Sequence, residues 1–141
     1  MPLKQSVKLV LAMSIFCLSA CSQYDIKVNE QLVYSPKKVL TDFKVADSNL
    51  QSCLDQTIKD QHITQASDLT QLICTDAGIT QLVGLERFSQ LQFLSLRSNN
   101  IESLDGLASL SEIRELNAAD NDLRDASGIL SLLNLERVDL S

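Results

Sequence analysis

From Leu69 onward, apolar and polar positions recur with a constant period of 22 residues. Three lines stack without a gap: LTQLICTDAGITQLVGLERFSQ (69–90), LQFLSLRSNNIESLDGLASLSE (91–112) and IRELNAADNDLRDASGILSLLN (113–134). A fourth begins LERVDLS (135–141). Column one holds Leu69, Leu91, Ile113 and Leu135; column four holds Leu72, Leu94, Leu116 and Val138; column six holds Cys74, Leu96, Ala118 and Leu140. The alternation around columns four and six predicts a short strand in every line, with its apolar residues inward and the residues between them facing solvent. Asn99 and Asn121 share column nine, where a buried amide bonds the turn that leaves the strand and neighbouring amides stack as a ladder. The first line has Ala77 there, so its turn needs another donor or acceptor. Gly84, Gly106 and Gly128 fill column sixteen, which suits a bend with positive φ or a close backbone approach. One such unit cannot bury its own apolar face, so stability lies in the contact between stacked neighbours.

The pattern LxxLxLxxNxIxxLxGLxxLxx resembles the leucine-rich repeat, in the 22-residue bacterial form of internalin-like proteins. The resemblance covers residues 69–141 and, through a cap, reaches back to about residue 45. It implies an α/β solenoid with short parallel strands on a concave face, a helical N-terminal cap, and a partner-binding rather than catalytic role.

The cap is predicted over residues 46–68. Ser48 with Gln51 three positions on has capping-box spacing, and Leu50, Cys53, Leu54 and Ile58 then share one helical face. Upstream, in a tether spanning 21–45, Tyr24, Ile26, Val28 and Val33 alternate around NEQ and predict a short hairpin. The C-terminal end is predicted to be uncapped. The chain stops just after the strand of the fourth line, which leaves Leu140 and a strand edge open. Either the native protein continues past Ser141, or another chain pairs there.

The first twenty residues read differently. MPLKQSVK is polar and positive, Leu9 to Leu18 is an apolar run of ten, and Ser19 and Ala20 precede Cys21. A membrane-spanning helix needs about 20 apolar residues, so the run reads as a secretory signal over 1–20. LSAC resembles the lipobox of bacterial lipoproteins, which implies cleavage before Cys21 and a covalent lipid on its thiol. The alternative is an ordinary signal peptide cut near Ala20, with Cys21 in a disulfide. Ser22, rather than Asp, points by the same resemblance to the outer membrane of a Gram-negative envelope.

Composition narrows the partner. Aromatics are only 4% of the chain and Trp is absent, so the core is built from Leu, Ile and Val, which suits thin repeated layers. The formal charge of −6 becomes −8 once Lys4 and Lys8 leave with the signal. That disfavours nucleic acid, which needs a basic footprint. With Cys17 removed and Cys21 lipidated, Cys53 and Cys74 remain, both directed at the boundary between cap and first repeat. In an oxidising compartment they are expected to form a disulfide; the alternative is a pair of buried reduced thiols.

No catalytic or metal constellation stands out. His62, the single histidine, lies in the turn after the cap helix, where a solvated or capping role is expected. The stretch Asp120 to Gly128 fails the calcium-loop pattern, because Arg124 takes a ligand position and the glycine comes late. No metal and no cofactor beyond the lipid is expected. What remains is the concave surface: Gln71, Phe93, Glu115 and Arg137 in one row, Ile73, Ser95, Asn117 and Asp139 in the next, then Thr75, Arg97, Ala119 and Ser141. Glu115 and Arg137 are predicted to pair, and Phe93 with Ile73 to make an apolar spot beside Arg97. The expected function is a lipid-anchored envelope module that binds a protein or envelope component through this face. The alternative is a scaffold that assembles through its open C-terminal edge. An enzymatic reading needs a catalytic domain beyond residue 141.

Overall fold

The computed structural model describes residues 26–28, 31–34 and 37–141. The predicted signal (1–20), Cys21 and Tyr24 lie outside them. The chain divides into two compact units, Met1–Lys38 and Val39–Ser141. In the first, β1 (Ile26–Val28) and β2 (Gln31–Tyr34) form the antiparallel hairpin that the alternation predicts, with Val28 opposite Gln31 and a register irregularity between Ile26 and Lys27.

The second unit is an α/β solenoid. Helix α1 (Ser48–Asp60) precedes four strands of three residues each: β3 (Gln71–Ile73), β4 (Phe93–Ser95), β5 (Glu115–Asn117) and β6 (Arg137–Asp139). They pair in parallel in chain order, and the register sets Leu72, Leu94, Leu116 and Val138 side by side. The 22-residue period is therefore the sheet register itself. Short 3-10 turns at Leu85–Arg87, Asp105–Leu107 and Ser127–Ser131 carry the chain back on the opposite side.

Between strands and turns, the apolar columns interlock. Leu69, Leu72, Ile79, Leu85 and Phe88 of the first repeat, and Leu91, Leu94, Leu96, Ile101, Leu104, Leu107 and Leu110 of the second, are fully buried. The last layer is packed on one side only. Leu135 is half-buried there, while Val138 and Leu140 remain 48% and 37% exposed.

The glycine column serves both purposes its residue type allows. Gly84 has φ of 102°, and a Cβ there would sit 2.7 Å from Val45 Cα; at Gly128 a Cβ would sit 2.0 Å from the Leu104 carbonyl oxygen.

Helix α1 closes the N-terminal end with Leu50, Leu54 and Ile58 buried at a spacing of four. The predicted Ser48 and Gln51 capping box does not form. Asp47 is the N-cap, its Oδ1 accepting from Asn49 N and Leu50 N, and Gln51 Oε1 accepts instead from Val45 N at 3.0 Å. Asp47 wins because its carboxylate reaches the first repeat as well: Oδ2 accepts from Thr80 N, Thr80 Oγ1 and Gln81 N. At the other end, His62 N donates to Lys59 O and Ile63 N to Ile58 O. This is the Schellman arrangement, with His62 left-handed at φ 54°.

The solenoid unit begins at Val39, ahead of the helical cap expected over 46–68. Residues 39–46 belong to the solenoid unit, as a strap in which Val45 is buried and Val39, Leu40 and Phe43 lie against the core. Phe43 meets Phe88 edge-on at 5.4 Å. Leu40 N donates to Ile63 O and Ala46 N to Val83 O.

Candidate partner-binding face

Because inward and outward residues alternate along each strand, the outward ones form rows across the sheet. Gln71, Phe93, Glu115 and Arg137 align in one row, and Ile73, Ser95, Asn117 and Asp139 in the next. Gln71, Ile73, Arg97, Arg137 and Asp139 are exposed, whereas Phe93, Glu115 and Asn117 are half-buried. Ile73 is 54% exposed, a large β-branched side chain held out from the core. Phe93, Glu115, Asn117, Arg137 and Asp139 border an open hollow of about 620 Å³ together with Glu136.

One expectation needs correction. Ser95 is 9% exposed, not a free contact: its short side chain lies in register between the larger Ile73 and Asn117. Arg97, expected beside the apolar spot of Phe93 and Ile73, is engaged in an ion pair. Its Nε donates to Asp120 Oδ2 at 2.8 Å, one repeat on. The Arg137 guanidinium bonds the Glu115 carboxylate, as the row alignment predicts.

These contacts belong to a wider set. Arg114 pairs with Glu136 at 3.7 Å and Arg124 with Glu102 at 3.5 Å, so each arginine from position 97 onward faces a carboxylate of a neighbouring repeat. Exposed pairs of this kind add little stability. Their consequence is electrostatic: the arginines of the later repeats are matched, and the surplus carboxylates are not. The hydrogen bond and charge of Asp120 raise the Arg97 guanidinium above its ordinary pKa against a small desolvation, with Asp139 and Asp76 adding to the effect. The backbone N–H and hydroxyl of Ser141 hold the Asp139 carboxyl below its ordinary value.

One column of the site is absent from the sequence expectations. Asp76, Ser98 and Asp120, the eighth residue of each repeat, are all left-handed at φ 53°, 56° and 55°. They turn the chain out of the strands and form one rim of the face. The available signal was their chemistry, since Asp and other short polar residues tolerate this region best after glycine.

The asparagine column bonds the turns that leave the strands, as predicted, and each side chain also reaches the backbone of the preceding repeat. Asn121 Oδ1 accepts from Ile101 N, and its Nδ2 donates to the carbonyls of Leu96, Ala118 and Ala119. Asn99 likewise donates to Cys74 O, Leu96 O and Arg97 O.

At the cap, Cys53 of α1 and Cys74, just past β3, are joined by a disulfide with Cα atoms 5.9 Å apart. It ties the cap to the first repeat across 21 positions. The calcium reading of residues 120–128 gains nothing: Asp120 holds Arg97, Asn121 lies in its turn, and Asp125 Oδ1 accepts from Ser127 N. Among the described residues, no group of three or more His, Cys, Asp or Glu is placed to hold a metal ion.

No protein-family profile and no curated protein matches this sequence. Among solved structures, an internalin from Listeria monocytogenes is similar with a TM-score of 0.62 and 20% identity. The match covers 69% of this chain and 30% of that one, so the chain spans less than a third of the neighbour's length. At this identity the likeness speaks for architecture, and it agrees with the four-stranded parallel sheet: the chain folds as a leucine-rich-repeat α/β solenoid.

Proposed function

We propose that this protein is a lipid-anchored, leucine-rich-repeat module of the cell envelope that binds a protein or envelope partner through the outward face of its sheet. The observation that carries the binding reading is the row structure of that face. It sets an exposed Ile73, a half-buried Phe93 and a bordered hollow on a rigid stack whose every layer is fixed by its neighbour. Aromatic and aliphatic side chains on a preorganised surface, with charged groups around them, are the ingredients of protein interfaces. The module performs no catalysis of its own, and nucleic acid is disfavoured by its acidity.

Anchoring rests on the leader and Cys21 alone. A lipid on Cys21 holds the solenoid at a membrane surface, in the outer membrane where the source is Gram-negative. Among the described residues no helix is long and apolar enough to cross a membrane. Replacement of Cys21 by Ser is expected to release the protein from the membrane fraction, and the mature N-terminal peptide to carry acyl mass on Cys21. A Cys21→Ser protein that stays membrane-bound overturns the anchor.

The binding face is tested with a photocrosslinking residue placed in turn at Ile73, Phe93 and, on the turn side, Ser89. Adducts from Ile73 and Phe93 and none from Ser89 support the face; the reverse pattern removes it. A second reading, self-assembly, draws on Leu130 and Leu133, which are 80% and 89% exposed, and on the exposed Val138 edge. Concentration-dependent sedimentation of the isolated domain favours that reading.

A further inference from the structure

We propose that the partner segment docking on the strand face is a cationic peptide, with Lys or Arg on either side of apolar side chains. The inference rests on the strand-face reading above and adds the chemistry of what binds there.

Ile73 and Phe93 supply an apolar strip, in adjacent strands and diagonal rows. Beside it runs the rim formed by the left-handed column, with Asp76 and Asp120 two layers apart and Arg97 in the layer between. Neighbouring strands are about 4.8 Å apart, so the two carboxylates are separated by about 10 Å along the stack. Arg97 donates its Nε to Asp120 and also feels the charges of Asp139 and Asp76; among the described residues no other basic side chain is ion-paired with these three carboxylates. Glu115 and Arg137 cancel each other in the neighbouring row. The rim therefore keeps a net negative charge next to exposed apolar surface.

That combination selects among occupants. An anionic segment is repelled by the rim. A neutral apolar segment covers Ile73 but desolvates carboxylates without replacing their water. A cationic segment with apolar side chains satisfies both. A chain in the polyproline II conformation advances about 9 Å in each three-residue turn and brings residues three apart back to the same side, so cations three positions apart match the separation of Asp76 and Asp120.

The test measures fluorescence anisotropy of labelled Gly-Lys-Leu-Phe-Lys-Gly with the full domain at low salt. Two further probes are compared: Gly-Glu-Leu-Phe-Glu-Gly, and Gly-Lys-Ser-Ser-Lys-Gly. The lysine and apolar probe is expected to bind about tenfold more tightly than either, with affinity falling as salt is added. The Asp76→Asn and Asp120→Asn double variant is expected to weaken it by about tenfold. Asn tolerates the left-handed backbone at both positions, so an unchanged thermal midpoint verifies the fold. Equal binding of the glutamate probe, or undiminished binding by the double variant, overturns the inference.

The two readings fail in different ways. If photocrosslinks still form from Ile73 and Phe93 while the double variant binds the probe like the parent, the charge preference is wrong and the face stands. If crosslinks form only from Ser89 and Phe93→Ala leaves probe binding unchanged, the face itself is wrong, and this inference falls with it.

Discussion

The side-chain oxygen of Asn99 accepts from the backbone N–H of Ile79 at 3.0 Å, so a residue of the second repeat closes the turn of the first. The same oxygen takes Ala77 N, and the side-chain nitrogen bonds three carbonyls, all at a residue only 6% exposed. Substitution of Asn99 by Ala leaves several buried backbone groups without partners, each costing about 1–3 kcal/mol. Asn99→Ala is expected to lose about 3–5 kcal/mol in urea unfolding, and more than Asn121→Ala, whose site is partly open to water. Equal losses at the two positions contradict this account.

The bridge between Cys53 and Cys74 constrains the unfolded chain by closing a loop of 21 positions. In the chain-entropy picture that contributes about 3 kcal/mol. Reduction, or the Cys53→Ala and Cys74→Ala double variant, is expected to lower the thermal midpoint. Because the link joins cap to repeat, amide exchange should rise in α1 before it rises in β4 and β5. Two alkylatable thiols in the unreduced mature domain rule the bridge out.

How much of this was readable beforehand depends on whether a contact repeats along the chain. The strands, their register and the inward leucines all recur every 22 residues, so Leu72, Leu94 and Leu116 announced the sheet. The strap at 39–46 has no period to detect, since Val45 and Phe43 are held by two distant backbone bonds and an aromatic contact. Ala77 left its turn unassigned because its partner, Asn99, lies a full repeat away. The burial of Ser95 is hidden for a related reason: its shielding is set by the size of residues 22 positions before and after it, and strand alternation alone says only that it points outward. Local spacing favours a helix start at Ser48, whereas Thr80 and Gln81, distant in sequence, bond Asp47 and decide the competition.

Asp47 gives the fold an acid-sensitive joint. Partial burial pulls its carboxyl upward, but the donors from Thr80, Leu50 and Asn49 together outweigh this and hold it below its ordinary value of 3.8. With the folded value depressed, its contribution is fully present above the unfolded pKa and is lost as pH falls through the folded one. Asp47→Ala should therefore cost about 2–3 kcal/mol at pH 7, from the lost cap and the lost bonds to the first repeat. The gap between parent and variant should narrow as pH drops from about 5 to below the folded pKa. Asp125 and Asp139, also depressed, act in the same direction in both proteins and cancel from the comparison. Urea titrations at several pH values measure the gap, and a gap that widens on acidification refutes the role given to Asp47.

Leu130 and Leu133 are exposed for a reason unrelated to the open last layer. The equivalent positions in the interior repeats, Glu86 and Ala108 for the first and Ser89 and Ser111 for the second, are exposed as well. The same fold thus already accommodates polar side chains at both columns. Leu130→Ser with Leu133→Ser is expected to change stability by no more than about 0.5 kcal/mol per site. If the solvent-facing leucines drive association, the double variant sediments as a monomer at concentrations where the parent self-associates. Should the parent's association persist in that variant and disappear with Val138→Lys, the interface is the strand edge and the leucine pair is a bystander. A loss of more than about 2 kcal/mol in the double variant instead means that these side chains pack against the fold, contrary to their exposure.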